Sequence, residues 1–315
     1  MPPELESFNV AVSDGRWRNS PWRLPDGTLP SADRGGRVLL VLGKGGVGRT
    51  TTCAAIAHAA STDGLRVLLV GLDGRTTLDE MTRGSEITVR MVSAGSALED
   101  YLLDQGFGGF AKRLASSGVI EVVGAAAPGI HDLVVLGKVK QFANEGRWDL
   151  IVVDAPAAGH ATSMLTSVHG LLDIVEGGPI REQAVAVRAL LLDHDRCGSV
   201  MVTLAESTPV SESLELAELT RSEVGVAVAA GVVSSVEPVR NAPQPDEIRG
   251  VKGAPALREL MERAVIDATV IESSIHRFCA QLSAPCALLP RLPVAGVDAD
   301  TARLLGQVLA AGGIR

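Results

Sequence analysis

Cysteine is scarce in this chain of 315 residues, and none of its four cysteines forms a C-x-x-C pair. A zinc or dithiol redox site built on such pairs has little support, so we expect buried, reduced thiols. Apolar runs are short as well: residues 38–42 form one of the longest, whereas a membrane-spanning helix needs about 20 apolar residues. The amino terminus also lacks the charged and then apolar pattern of a secretory signal. We therefore expect a cytoplasmic protein without a membrane-spanning segment.

Positive charge is also in short supply, because the formal net charge of the chain is −8. A protein dedicated to nucleic acid needs a basic face that neutralises phosphates along the backbone of its ligand. We therefore expect no nucleic acid among the partners of this chain.

Short apolar runs alternate with amphipathic stretches along most of the sequence. The apolar runs predict buried strands at residues 38–42, 66–72, 148–153, 198–204, 226–233 and 286–289. Helices are predicted at residues 51–60, 130–144, 181–193, 210–223, 255–282 and 300–311, and a polar surface loop at 237–250. This alternation predicts an α/β fold with a mostly parallel sheet and helices on both faces.

The first part of the chain does not share this pattern. Residues 1–36 are rich in Pro, Gly, Ser, Asp and Arg and show no apolar periodicity, apart from Trp17 and Trp22. We predict a mostly disordered extension there, followed by a single domain over residues 37–315. A helical insert is expected within that domain at about residues 95–145.

A glycine-rich turn follows the first predicted strand and precedes the first predicted helix, which is the context that a phosphate-binding P-loop requires. Glycines let successive backbone N–H groups converge on phosphate oxygens, and the helix adds its positive amino-terminal end. The candidate nucleotide-binding residues are Gly43, Lys44, Gly45, Gly46, Val47, Gly48, Arg49, Thr50 and Thr51. The expected fold is thus that of a P-loop NTPase.

One residue of the loop departs from the pattern G-x-x-x-x-G-K-[ST]. Arg49 occupies the position of the lysine, and arginine keeps the charge but binds phosphate as a bulkier, planar fork. Thr50 is at the position of the hydroxyl that binds Mg²⁺. We therefore expect nucleotide binding with slow turnover.

The run GKGGVGRTT resembles the deviant Walker A motif, KGGxGKT, of the ArsA family of arsenite-pump and tail-anchored-protein-targeting ATPases. The ParA and MinD ATPases share this motif. The resemblance implies ATP and Mg²⁺ as ligands and a dimer in which Lys44 reaches the phosphates bound by the partner. It gives Lys44 a catalytic role, because a lysine there stabilises the negative charge of the transition state.

A second stretch, LLVGLDGR at residues 68–75, resembles the switch I region of the same family. Asp73 matches the aspartate that orients the attacking water, so the resemblance makes it the second candidate catalytic residue. Gly74 stands where the family has proline.

A third stretch, DLIVVDAPAAGH at residues 149–160, resembles the switch II signature of the ArsA family more than that of MinD or ParA. The resemblance implies that Asp154 holds Mg²⁺ through its water shell and that Gly159 approaches the γ-phosphate. Ala157 and Ala158 replace the family's Pro-Thr pair, so one hydroxyl is missing. His160 either takes part in the switch or only caps or packs the following helix, and the sequence leaves both open.

Later segments fit the same family. Residues 203–213 resemble the family motif T-x-x-E-x-x-P-x-x-E-[TS], which begins a helix. Ser234, or Ser235 if the alignment shifts by one residue, stands where the family has an asparagine that reads adenine. Residues 289–293, ending in Pro293, match the second loop that contacts the base. The identity of the base is therefore left open.

The resemblance leaves more than one function open. The first is a Mg²⁺-dependent ArsA-type ATPase that acts as a dimer and couples slow hydrolysis to an unidentified client protein or membrane partner. The second is a degenerate nucleotide-binding subunit of a heterodimer with a related ATPase. A ParA-like or MinD-like positioning ATPase is a third, for which the short, non-basic tail at residues 301–315 gives little support.

Three departures from the family favour the degenerate subunit, namely Arg49, Ala158 and Ser234. The active enzyme is favoured instead by four intact positions: Lys44, Thr50, Asp73 and Asp154. The choice between homodimer and heterodimer stays open, as does the transported ion or client. Arsenite would need three neighbouring thiols, and the chain has only six methionines to line a client groove.

Overall fold

The computed structural model describes residues 20–72, 77–104, 128–237, 243, 245–250, 254–294 and 296–314. Within these ranges seven strands form one sheet in the order β3-β2-β4-β1-β5-β6-β7, and all neighbouring strands are parallel. The strands are β1 (Arg37–Gly43), β2 (Val67–Gly71), β3 (Thr88–Met91), β4 (Leu150–Asp154), β5 (Cys197–Leu204), β6 (Val228–Val236) and β7 (Cys286–Pro290). The predicted α/β fold with a parallel sheet is confirmed.

The helices form two packed groups. The first contains α1 (Arg49–Thr62), α2 (Thr77–Met81) and, from the end of the chain, α10 (Ala299–Ala310), which lies along α1. The second contains α3 (Ala94–Asp104), α4 (Pro128–Asn144), α5 (Ala158–Ile174), α6 (Pro179–Leu192), α7 (Ser207–Leu219) and α9 (Pro255–Leu282), with the short α8 (Pro245–Gly250) before α9.

The order of the strands explains these two groups. The chain leaves β1 towards one edge of the sheet through α1, and it leaves β5 towards the other edge through α7. Because parallel crossovers are right-handed, opposite directions of travel put the connecting helices on opposite faces of the sheet. Every residue of β1, β2 and β4 is buried, which is why their sequences are continuous apolar runs rather than alternating ones.

Three of the described α-helices lie where the sequence predicts none. These are α2, α5, which begins within the switch II motif, and the short α8, which lies in the stretch predicted as a polar loop. The described part of the expected insert consists of α3 and α4, and residues 105–127 lie outside the described ranges. None of the helices described is long and apolar enough to cross a bilayer.

Residues 20–36 pack on the domain, so the prediction of disorder is wrong for this part of the extension. The Trp22 side chain is only 1% exposed, and its indole Nε1 donates to Asp63 Oδ2 at 2.9 Å. Arg23 forms an ion pair with the same carboxylate at 3.2 Å. A tryptophan buries a large apolar ring, and satisfying its N–H removes the penalty of burying that polar group. Residues 1–19 lie outside the described ranges.

Asp149 joins three segments at the amino-terminal edge of the sheet. Its Oδ1 accepts from the Ala32 amide at 2.8 Å and from Arg66 Nη2 at 2.9 Å. Its Oδ2 accepts from the amide and from Nε of Arg66, both at 2.9 Å. The hydrogen bonds from Arg66 outweigh burial and lower the pKa of Asp149 to about 2. This carboxylate therefore favours the folded state only while it is ionised.

We expect Asp149→Asn to lower the free energy of unfolding by about 2 kcal/mol at neutral pH, from the lowered pKa of this carboxyl. Because the pKa in the folded chain is below that in the unfolded chain, this stability is present above about pH 4. It is lost as the pH falls from there towards the folded pKa of about 2. Urea unfolding across this pH range checks the prediction, with the exposed Asp246→Asn as the control. An equal difference between Asp149→Asn and wild type at all pH values would contradict it.

Candidate functional site

The glycine-rich loop lies at the carboxyl edge of the sheet, between the end of β1 and the start of α1. Since β1 is flanked by β4 and β5, the ends of these two strands border the loop. This position, at the carboxyl ends of parallel strands and beside a helix amino terminus, is where α/β folds bind phosphate groups. The structure thus forms the predicted strand–loop–helix unit over residues 43–51.

Glycine is required at specific points of the loop. Gly46 and Gly48 both have φ of +85°, in the left-handed region that glycine adopts without a steric penalty. A Cβ at Gly43 would lie 2.5 Å from the Val202 carbonyl oxygen, and one at Gly48 would lie 3.2 Å from Ser234 Oγ. The loop therefore lies close against β5 and β6, with no room for a side chain at Gly43 and only a tight fit at Gly48.

Thr50 and Asp154 meet beside this loop. Thr50 is in the first turn of α1 and Asp154 is the last residue of β4, and the Thr50 hydroxyl donates to Asp154 Oδ2 at 2.7 Å. Although 104 residues separate them, the pairing of Val41 with Asp154 across β1 and β4 makes them neighbours. Asp154 is 5% exposed, so little of its surface is in contact with water.

The Thr50–Asp154 pair suits Mg²⁺, which prefers oxygen ligands and usually keeps several waters. Among the described residues no three His, Cys, Asp or Glu side chains cluster around a common point. An ion held here would thus take its other ligands from phosphate and water, as Mg²⁺ does in nucleotide sites. The predicted metal ligands lie together, and their role stays a prediction.

The Arg49 side chain does not extend into solvent above the loop. The residue is 8% exposed, and its Nη1 donates to the backbone carbonyl of Ala155, just after β4. The nearby Cys53 thiol has a pKa raised mainly by burial, with the charge of Asp154 adding to this and that of Arg49 opposing it. The guanidinium is therefore buried beside the end of β4 and contacts the protein backbone there.

Lys44 forms an ion pair within its own chain. Its Nζ is 2.6 Å from Glu212 Oε1 on α7, and the two side chains are 48% and 38% exposed. An ion pair this exposed contributes about 0–1 kcal/mol, so the lysine can exchange partners at low cost. Glu212 belongs to the motif at 203–213, but nothing in the sequence indicated that it pairs with Lys44.

The two switch regions are only partly described. Asp73 lies outside the described residues, so its catalytic role stays a prediction. Gly159 is exposed in the first turn of α5, and a Cβ there would meet no atom within 4 Å. The His160 amide donates to the Ala157 carbonyl, so the backbone of His160 takes part in starting α5. Burial raises the pKa of Asp132, and the charge of His160 opposes that shift.

A cavity of about 150 Å³ opens next to the phosphate loop. It is lined by residues from the start of α1, the ends of β6 and β7 and the loop before α10, including Gly48, Thr51, Ser234, Leu292 and Val297. The Ser234 hydroxyl donates to the Val47 carbonyl at 2.5 Å, which commits it to the loop. Pro293 is exposed, while its neighbours Leu292 and Val294 line the cavity. The predicted base-contacting segments thus border one mostly apolar cavity.

Comparison with known proteins supports a nucleotide site. A family model described as the CobQ/CobB/MinD/ParA nucleotide binding domain matches residues 38–310. The chain is 31% identical over 223 residues to ATPase BagA of Mycobacterium tuberculosis, a match that covers 62% of this chain and 65% of the relative. It therefore spans slightly less than two thirds of that relative's length.

More distant relatives include an ATPase named for an arsenical pump and an ATPase named GET3B. The chain is 30% identical over 156 residues to putative arsenical pump-driving ATPase 2 of Aquifex aeolicus, covering 44% of this chain and 52% of the relative. It is 22% identical over 245 residues to ATPase GET3B of Arabidopsis thaliana, covering 58% and 60% of the two chains.

Proposed function

The chain belongs to the CobQ/CobB/MinD/ParA nucleotide-binding domain family, and from that premise we propose that it is a cytoplasmic, Mg²⁺-dependent ATPase of the ArsA type. In this proposal it acts as a dimer and hydrolyses ATP slowly, on behalf of a client protein or membrane partner. The contact between Thr50 and Asp154 at the edge of the phosphate loop carries the proposal. A hydroxyl and a carboxylate held 2.7 Å apart beside a phosphate cradle form the ligand set of a nucleotide-bound Mg²⁺.

Each residue of the site has a physical task in this proposal. The backbone of residues 43–51 binds the phosphates, while Thr50 and Asp154 orient the ion and its water shell. Asp73 accepts a hydrogen bond from the attacking water, and Lys44 supplies positive charge where negative charge builds up. Bound Mg·ATP supplies the phosphoryl group itself and neutralises part of its charge.

The ArsA assignment within the family rests on motifs and on relatives. The switch II run at residues 149–160 matches the ArsA signature, and ATPases named for arsenical pumps and GET3B are among the relatives. The cavity beside Ser234 suits a flat, largely apolar base, although the Ser234 hydroxyl is engaged by Val47. We therefore expect ATP to bind with weak selectivity for adenine over other bases.

The metal site yields the first functional test. We expect Asp154→Asn and Thr50→Ala each to weaken Mg·ATP binding about tenfold or more, because each removes an interaction that holds the ion. Titration calorimetry with Mg²⁺ and again with EDTA measures this effect. ATP without Mg²⁺ should bind both variants as it binds the wild type, which controls for misfolding. Equal loss of affinity with and without Mg²⁺ would count against the assignment of these two residues.

A second candidate function, a nucleotide-binding subunit with little hydrolysis, is favoured by the environment of Arg49. This side chain is buried and donates to the Ala155 carbonyl, so the charge that stands at the lysine position of the motif is engaged by the protein itself. Phosphoryl transfer depends on charge placed before the reaction begins, and a displacement of about 1 Å costs about a hundredfold in rate.

We therefore expect Arg49→Lys to raise the rate of ATP hydrolysis by about tenfold or more, because the lysine can reach the phosphates. A steady-state phosphate-release assay measures the rate, and Asp73→Asn, which should abolish it, controls for contaminating ATPases. A drop from a brisk wild-type rate in Arg49→Lys would instead make arginine an adapted catalytic group. No change in either variant would assign the activity to another site.

The third functional prediction concerns assembly. Lys44 can serve a partner's phosphates only if it leaves Glu212, and the exposed ion pair between them allows this at low cost. We expect light scattering to detect a dimer with Mg·ATP, either of this chain alone or with a related ATPase. Lys44→Ala should slow hydrolysis without lowering the ATP affinity by more than about threefold. A monomer under all these conditions would contradict the dimer.

A further inference from the structure

A cavity of about 330 Å³ lies between α3, α4 and α6, and it shares none of its lining residues with the cavity beside the phosphate loop. Its polar lining includes Asp100, Tyr101, Lys138, Lys140 and Gln183. The volume is at the lower end of the range of about 300–1,000 Å³ that is typical of small-molecule sites. The proposed ATPase mechanism uses none of these side chains.

The two lysines of this cavity differ in their partners. Lys138 Nζ is 2.6 Å from Asp100 Oδ2, so its charge is neutralised. Lys140 is half-buried, and its Nζ donates to the neutral amide oxygen of Gln183 at 2.9 Å. Burial lowers the pKa of Lys140, and among the described residues no ion pair joins its Nζ to a carboxylate. A partly desolvated ammonium without an anionic partner favours an anion beside it.

Tyr101 also lines this cavity, and its hydroxyl lacks a hydrogen-bond partner among the described residues. Its oxygen is buried and makes no hydrogen bond with any residue that the structure describes. Burial, and to a smaller extent the charge of Glu182, raises the pKa of Tyr101, so the hydroxyl keeps its proton and can donate it. Buried polar groups are normally paired, and an orphaned donor in a cavity therefore indicates a missing acceptor.

The Gln183 amide lies close against a glycine in the middle of α4. A Cβ at Gly137 would overlap with this amide, so a larger residue there would make the flexible Gln183 side chain shift from its contact with Lys140. Glycine also leaves space here although it is unfavourable inside a helix, because it costs conformational entropy on folding.

We propose that this cavity is a binding site for a small anion, a carboxylate or a phosphate compound, with Lys140 as its charge partner and the Tyr101 hydroxyl as a hydrogen-bond donor. Of the other charged residues on the lining, Asp100 is paired with Lys138, and Glu145 accepts a hydrogen bond from the neutral Trp148 indole at 3.3 Å. The site is independent of the phosphate loop and holds whether or not the chain hydrolyses ATP.

Tyr101 is the single tyrosine of the chain, which provides a direct probe of the cavity. Full-length protein labelled with ¹³C-tyrosine gives ring signals from this residue alone. Succinate and inorganic phosphate are titrated separately, each against sodium chloride at equal ionic strength and in the presence of saturating Mg·ATP. We expect a saturable shift of the Tyr101 signals with at least one of the two anions, and the anion that binds more tightly identifies the ligand as a carboxylate or a phosphate.

Variants assign the effect to Lys140. Lys140→Met keeps the length of the side chain but removes its charge, and we expect it to raise the anion concentration at half-saturation at least tenfold. Arg188→Met removes one positive charge from the exposed side of α6 and should titrate as the wild type does. Lys140→Gln replaces the first variant if that one fails to fold. Non-saturable shifts equal to those with sodium chloride, or normal saturation in the Lys140 variant, would overturn the proposal.

Discussion

The adjacency of β1 and β4 in the centre of the sheet is the constraint on which the candidate site depends. Their parallel register pairs Val41 with Asp154, and this pairing lets Asp154 accept the Thr50 hydroxyl from the first turn of α1. The same two strands are entirely buried, so a shift of register would disturb the core and the site together. At the opposite edge of the sheet, Asp149 fixes the start of β4 against Arg66 and the amino-terminal segment.

Within this frame, two of the positions that depart from the ArsA pattern form side-chain contacts to the backbone. Arg49 donates to the Ala155 carbonyl, and Ser234 donates to the Val47 carbonyl. Both side chains thus help to hold the loop in place, where the corresponding family residues would contact the nucleotide. A loop held in this way fits the proposal that the chain binds nucleotide but hydrolyses it slowly.

Much of the fold could be predicted from the sequence, because buried parallel strands appear as continuous apolar runs and the glycine-rich loop has a fixed context. The packing of residues 20–36 could not, since it depends on one tryptophan that meets Asp63, more than 40 residues away in the chain. The Lys44–Glu212 pair and the cavity at Lys140 could not be predicted either, because each is formed by contacts between separate segments of the folded chain. The phosphate loop was predictable because its function requires local backbone geometry.

A crystal structure with a non-hydrolysable ATP analogue, and with Mn²⁺ in place of Mg²⁺, tests most directly whether Thr50 and Asp154 hold the ion of a bound nucleotide. Anomalous scattering then locates the ion independently of the nucleotide. If Thr50 and Asp154 hold the ion, we expect one Mn²⁺ peak about 2.1 Å from the Thr50 hydroxyl, bridged to Asp154 by water, with the phosphates held by residues 43–51. Nucleotide bound elsewhere on the chain, or phosphates in the loop with no ion between Thr50 and Asp154, would contradict it.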